Sequence, residues 1–288
     1  MRSDGPAKVV DHRSGASVWV AGSRQERPNR PSTACPFCPG GLEAPEPYVT
    51  RTFVNRWPSM PDDRCEVILY APDHDATFAS LGTAGARSVV DVWAERTEVL
   101  GARTDVAAVL PFENRGHEVG ATIAHPHGQL YAFDTVPPVL AQELTTGTCW
   151  MCDAPPDDLV VTEVGGWRAS VPAAARYPFE LLVAPLAHRP DLPSLDGDER
   201  DGLAAALVDA LTKLDRLFDA PTPYMLWVHQ RPTDGGAWPT AHVHVEIVGL
   251  HRAPGTPRYV AAGELGSGIW FNPVAPVDAA RQLREAGA

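Results

Sequence analysis

The chain has 288 residues, 44% of them hydrophobic, with 36 Asp and Glu against 24 Lys and Arg for a formal net charge of −12. That composition can bury a substantial core, and its acidic balance argues against nonspecific nucleic-acid binding, which needs a basic surface to neutralise phosphates. No stretch approaches the roughly 20 apolar residues of a membrane span, and the first residues lack the apolar run of a secretory signal, so a cytoplasmic protein with no nucleic-acid or membrane partner is expected.

The first feature in chain order is a basic cluster, Arg24, Arg27 and Arg30. Guanidinium groups match phosphate oxygens bidentately, so this cluster is either a solvated loop or a phosphate clamp. Cys35-Pro36-Phe37-Cys38 follows, then apolar runs over residues 51–55 and 65–71 that read as strands, with His74 just beyond. Across residues 88–103, Val89, Val90, Trp93, Val99 and Leu100 recur near helical period. Strands are expected at 106–113 and 122–133, the second carrying His125-Pro126-His127-Gly128-Gln129. Residues 135–138 read as a linker.

Beyond that linker come Cys149-Trp150-Met151-Cys152, strands at 159–163 and 179–185, and His188. A second amphipathic helix spans 199–218, with Leu203, Leu207, Leu211, Leu214 and Leu217 on one stripe. Strands at 224–230 and 241–249 close the pattern, the last carrying His242-Val243-His244. The fold class is therefore α+β.

The two halves share their intervals. Cys38 to His74 is 36 positions and His74 to His125 is 51; Cys152 to His188 is 36 and His188 to His242 is 54. An internal duplication explains this, with an N-terminal half at 1–138 and a C-terminal half at 139–288 that fold together. In a reducing compartment two Cys-x-x-Cys pairs favour metal over disulfides, leaving Cys65 as a buried small hydrophobe. Histidines two apart on a strand share a face, so one ring can hold a metal while the other attacks an electrophile.

Ser23-Arg24-Gln25-Glu26-Arg27-Pro28, Cys35-Pro36-Phe37-Cys38, Asn55-Arg56-Trp57-Pro58, Phe112-Glu113-Asn114-Arg115-Gly116 and His125 through Gln129 together resemble the galactose-1-phosphate uridylyltransferase family, a two-repeat branch of the histidine-triad superfamily. The resemblance implies duplicated histidine-triad-like units with a mostly antiparallel sheet and flanking helices. It also implies transfer of UMP from UDP-glucose to galactose 1-phosphate through a covalent uridylyl-histidine, with a UDP-sugar and a sugar 1-phosphate as substrates and a homodimer as the assembly. By position His127 is the nucleophile, and Gln129 offsets charge on the non-bridging phosphoryl oxygens. Arg24 and Arg27 match phosphate-binding arginines; Asn55, Trp57, Phe112 and Asn114 match nucleotide contacts; Thr122 matches a phosphate-binding hydroxyl. Arg258 and Glu264 match sugar contacts that reach the neighbouring subunit, and Arg56 replaces an acidic residue of some members.

Cys35, Cys38, His74 and His125 form a Cys2His2 set suited to structural zinc. The repeat predicts a second zinc on Cys149, Cys152, His188 and His242. The resemblance offers a competing set for a different metal, Glu143, His229, His242 and His244, and both claim His242. His244 mirrors His127, but Val245-Glu246 replaces Gly-Gln, so one nucleophile is expected. Two other functions remain open at this stage: an ADP-sugar or dinucleoside polyphosphate phosphorylase, and a non-catalytic nucleotide-binding zinc protein.

Overall fold

The computed structural model describes residues 5–26, 34–145 and 147–287. A hairpin of β1 (Ala7–Val10) and β2 (Ser17–Val20) precedes the main body. The first half then supplies β3 (Arg51–Val54), β4 (Cys65–Leu69), α1 (Gly82–Gly101), β5 (Ala108–Arg115) and β6 (His127–Phe133). After α2 (Pro138–Leu144), which begins where the linker is expected to end, come β7 (Val160–Val164), β8 (Trp167–Ser170), β9 (Phe179–Pro185), α3 (Gly197–Arg216), β10 (Tyr224–His229) and β11 (His244–Gly249). The tail carries a short pair, β12 (His251–Ala253) and β13 (Thr256–Pro257), then α4 (Ala262–Ser267) and α5 (Pro276–Ala286).

Nine strands form one sheet in the order β3-β4-β6-β5-β10-β11-β9-β8-β7. Every neighbouring pair is antiparallel. On either side of the β5–β10 seam the order repeats in reverse, so β3-β4-β6-β5 corresponds to β8-β9-β11-β10. The duplicated halves thus share a single sheet, as the expected fold class requires.

Helices α1 and α3 pack together on one face of that sheet. Val89, Val90 and Trp93 of α1 and Leu203, Leu207, Leu211 and Leu214 of α3 are buried with Leu130, Leu181, Leu226, Val245 and Ile247 from the strands. Asp196 starts α3 with a capping box: its side chain accepts from Glu199 N at 2.9 Å, and Glu199 Oε2 accepts from Asp196 N at 3.0 Å. Amphipathic α5 adds Ala279, Ala280 and Leu283 to the same core. None of the helices among the described residues is long and apolar enough to cross a membrane.

The expectation that His125 and His127 share a strand face fails. Both His-x-His strands start at their second histidine, at His127 and His244. Pro126 has no N–H to give a ladder, and its carbonyl accepts from Tyr70 N at 3.1 Å instead. His125 therefore lies in the irregular approach to the strand, fully buried. From His127 onward the alternation is regular, with Gly128, Leu130 and Ala132 toward the helices and His127, Gln129 and Tyr131 on the opposite face. Gly128 is held to zero side-chain volume, since a Cβ there would lie 2.0 Å from Tyr70 Oη.

Glu113 is buried on the helix side of the sheet, where its Oε1 accepts from Tyr224 Oη at 2.7 Å. Desolvation raises its pKa to about 7, opposed by that hydrogen bond and by the charge of Arg115. The unfolded carboxyl titrates near 4.5, so over this window the folded state holds the extra proton and stability falls as pH rises from about 4.5 to 7. Urea unfolding at pH 5 and pH 8 is expected to find wild type losing about 3 kcal/mol relative to Glu113→Gln. Parallel pH dependence in the two chains would contradict this assignment.

Candidate active site

On the face away from the helices, cross-strand pairing sets one row through five strands: Val67, Gln129, Phe112, Trp227 and Glu246. Gln129 and Glu246 are repeat equivalents, and each flanks the central Phe112–Trp227 pair. His127 stands one pleat from Gln129 on the same face. Its Nδ1–H donates to the His125 carbonyl at 2.7 Å, which leaves the lone pair on Nε2. The Phe37 ring packs edge-on against it, with centroids 5.1 Å apart.

Two cavities meet at this imidazole. One, of about 830 Å³, is lined by Asn114, Gly116 and His117; the other, of about 600 Å³, by Phe53, Asn55, Trp57 and Gln129. Thr122, Ile123 and His127 line both. Asn55 Nδ2 donates to Gln129 Oε1 at 3.1 Å, and the Trp57 N–H donates to Asn55 Oδ1 at 2.8 Å. Phe112 sets its ring edge-on to Tyr131 at 4.7 Å. Arg24 braces this corner from outside, donating to the Trp57 carbonyl at 3.0 Å and to Ser59 Oγ. Arg27 and Arg30 lie outside the described residues.

Arg258 and Glu264 sit elsewhere. Both are buried and pair with each other. Glu264 also accepts from the Ala261 and Phe271 N–H groups at 2.8 and 3.0 Å, while Arg258 stacks on Tyr177 at 4.6 Å. Within one chain these two side chains therefore hold the tail together, and neither lines the cavities at His127.

Cys35, Cys38, His74 and His125 bring their ligand atoms within 4.8 Å of one another. Cys38 Sγ lies 3.5 Å from His74 Nδ1 and 3.7 Å from His125 Nδ1. His125 Nε2–H is tied to the Ala71 carbonyl at 2.8 Å with Tyr48 Oη at 2.7 Å, so its Nδ1 lone pair faces the sulfurs. Burial lowers the His125 pKa, which favours the neutral ligand form. Sequence reasoning overlooked Tyr48, because nothing local marks a tyrosine that orients a distant ring.

The repeat is followed closely in the second half. Cys149 Sγ and Cys152 Sγ lie 3.3 Å from His242 Nδ1 and His188 Nδ1 respectively, and His242 Nε2 donates to the Pro185 carbonyl at 3.1 Å. This cluster is the more open one, with Cys152 and His188 exposed. The competition for His242 is resolved geometrically, since its Nδ1 faces the thiols. The competing set gathers without it: Glu143, His229 and His244 are completed by Glu246. His229 Nδ1 lies 2.9 Å from Glu143 Oε2 and 3.4 Å from Glu246 Oε1, and His244 Nε2 lies 3.7 and 3.9 Å from the same two atoms. A mixed imidazole and carboxylate set of this spacing fits a borderline divalent cation. The signal for Glu246 was its place two residues after His244, where Gln129 follows His127.

His244 repeats the posture of His127, its Nδ1–H donating to the His242 carbonyl at 2.8 Å. Complete burial, reinforced by His229, lowers its pKa to about 4. Burial also pushes the Glu246 carboxyl above the ordinary carboxylate range. The two imidazoles thus share a tautomer and differ in what Nε2 meets: a pair of cavities at His127, two carboxylates at His244.

Residues 54–137 match the family model described as galactose-1-phosphate uridyl transferase, N-terminal domain, and residues 144–254 match the C-terminal domain of the same family. A Thermotoga maritima protein named galactose-1-phosphate uridylyltransferase is 33% identical over 93% of this chain and 94% of its own. An Arabidopsis thaliana protein named ADP-glucose phosphorylase is 25% identical over 90% of this chain and 84% of its own. A solved uridylyltransferase structure, 28% identical, superposes with a TM-score of 0.89 over 98% of both chains.

Long-range ¹⁵N correlation NMR should report both His127 and His244 at pH 7 as the Nδ1–H tautomer. An Nε2–H tautomer at His127 would remove the lone pair from the cavity side and with it any nucleophilic role.

Proposed function

This chain belongs to the galactose-1-phosphate uridylyltransferase family, and on that premise we propose that it exchanges UMP between UDP-glucose and galactose 1-phosphate, with His127 as the nucleophile. The observation that carries the assignment of His127 is its Nδ1–H bond to the His125 carbonyl, which directs the Nε2 lone pair away from the backbone and toward the junction of two cavities. Nε2 attacks the α-phosphorus of UDP-glucose, forming a P–N bond as the bond to the bridging oxygen breaks and glucose 1-phosphate leaves. A phosphate oxygen of galactose 1-phosphate then attacks the uridylyl-histidine, and the P–N bond breaks to give UDP-galactose. The leaving group in the first step is already a phosphate, so no strong general acid is required. What the site must supply is charge compensation on the non-bridging oxygens, the role assigned to the Gln129 amide.

In this reading Asn55, Trp57, Phe112, Asn114 and Thr122 contact the nucleotide, with Arg24 and Arg27 at the phosphates. The two Cys2His2 clusters hold structural zinc: a closed thiolate and imidazole set activates no water but anchors the approach to each His-x-His strand. The Glu143, His229, His244 and Glu246 cluster holds a further divalent cation. The protein works in the cytosol as a homodimer, an assembly supported by the exposed Tyr259, Leu265, Ile269 and Phe271 on the tail segment that carries Arg258 and Glu264. Arg258 and Glu264 contribute to hexose binding through their hold on that segment.

Intact-protein mass spectrometry without acid, after incubation with UDP-glucose, is expected to give a uridylyl adduct on wild type and none on His127→Gly. Galactose 1-phosphate should discharge the adduct with formation of UDP-galactose. An adenylyl adduct from ADP-glucose, discharged by phosphate, would instead assign the chain to phosphorylase chemistry. Metal analysis of the purified protein is expected to find zinc lost by one equivalent in Cys152→Ser, and a separate equivalent of cation lost in Glu246→Ala. Unchanged metal content in either variant would remove the corresponding cluster as a metal site.

A further inference from the structure

We infer that Asn55 is a positioning residue that fixes which end of the Gln129 amide faces the reacting phosphoryl group. Donor and acceptor pairing decides this, given the role of Gln129 in the proposed function. An amide side chain presents one acceptor and one donor end of nearly the same shape, so its direction is decided by its partners. The Trp57 backbone N–H, 2.8 Å from Asn55, can only donate. It therefore takes Oδ1 and turns Nδ2 toward Gln129, 3.1 Å away. Nδ2 can only donate in turn, so it takes Oε1 of Gln129 and leaves the two Nε2 hydrogens for the cavity that Gln129 lines beside His127. Among the described residues nothing accepts from Nε2.

The chain of constraint starts from a backbone group that no rotamer change can alter. Asn55 follows the last residue of β3, and its own N–H donates to the Cys65 carbonyl at 2.7 Å, so the amide is carried by the sheet. Gln129 is held from the other side by its place in β6, between Val67 and Phe112. With Nε2 outward the amide offers hydrogens to a phosphoryl oxygen; with Oε1 outward it would offer a second negative dipole. Asn55 selects the first arrangement without contacting the reacting atoms.

Asn55→Asp keeps the shape and cannot donate. Its carboxylate still accepts from Trp57 N and accepts from Gln129 Nε2 as well, turning Oε1 to the cavity. Single-turnover uridylylation at saturating UDP-glucose is expected to slow about 100-fold, the scale of losing one preorganised oxyanion donor. In a Gln129→Met background the same substitution should add less than about threefold, because the amide it misdirects is gone. An equal loss in both backgrounds, the signature of charge repulsion or of an effect confined to the nucleotide contact, would overturn the proposal, as would an Asn55→Asp enzyme of wild-type rate. Orientation can be read without the reaction: in ¹⁵N-glutamine-labelled protein the Gln129 side-chain amide protons should move downfield in Asn55→Asp as they bond a carboxylate. Unchanged resonances would sink the positioning role even where no adduct forms on wild type, and adduct formation on wild type tests the reading of function separately.

Discussion

One hydrogen bond organises the site: the 2.7 Å bond from His127 Nδ1–H to the carbonyl of His125. It makes residue 125 serve twice. Its imidazole belongs to a cluster with two thiols, and its backbone oxygen sets the tautomer and tilt of the His127 ring. Anything that orders the cluster therefore orders the His127 imidazole, through two covalent residues and no intervening side chain. Pro126 has no ladder N–H to offer, and in the second half Val243 gives its N–H to the Arg189 carbonyl at 2.7 Å, so in both halves the chain passes from the cluster into the strand within one residue.

The second half keeps this device and gives it another end. His244 makes the same bond to His242, and His242 faces its own pair of thiols. The residue two positions on is Glu246 instead of Gln129, and Glu143 arrives from α2. Two carboxylates and a second histidine close around the nitrogen whose counterpart in the first half lies where two cavities meet. The two halves thus hold their imidazoles in the same posture, one at a pair of cavities and one among two carboxylates and a histidine, and the difference lies in the neighbours, since the backbone geometry is shared.

How much of this was legible in the sequence depends on the range of the interaction. The Cys-x-x-Cys, His and His-x-His intervals located two clusters, because covalent spacing is retained when a unit is duplicated. The family resemblance marked Phe112 and Asn114, and in the structure Glu113, the residue between them, turns to the helix side, where it meets Tyr224. Alternation misplaced His125, since in both halves the strand begins only at the second histidine of the motif. Tyr48, the pairing of Asn55 with Gln129, and the use of Glu264 to cap the Ala261 turn depend on partners brought near only by the folded chain. The hairpin of β1 and β2 escaped notice because four-residue strands that bury little carry almost no periodic signal.

The β5–β10 seam also has a bearing on how the chain comes to be folded. Across it Tyr224 meets Glu113, 111 positions earlier in the sequence. As the polypeptide leaves the ribosome, the N-terminal strands can pair and α1 can cover them, but β5 stays an open edge with unpaired backbone groups until β10, more than a hundred residues later, has been made. Contacts of such separation close late and slowly. The row through Gln129, Phe112, Trp227 and Glu246 is completed in the same event, so acquisition of the finished working face is a late step of biogenesis, and the interval before it is when the nascent protein is most exposed to mispairing with another copy of itself.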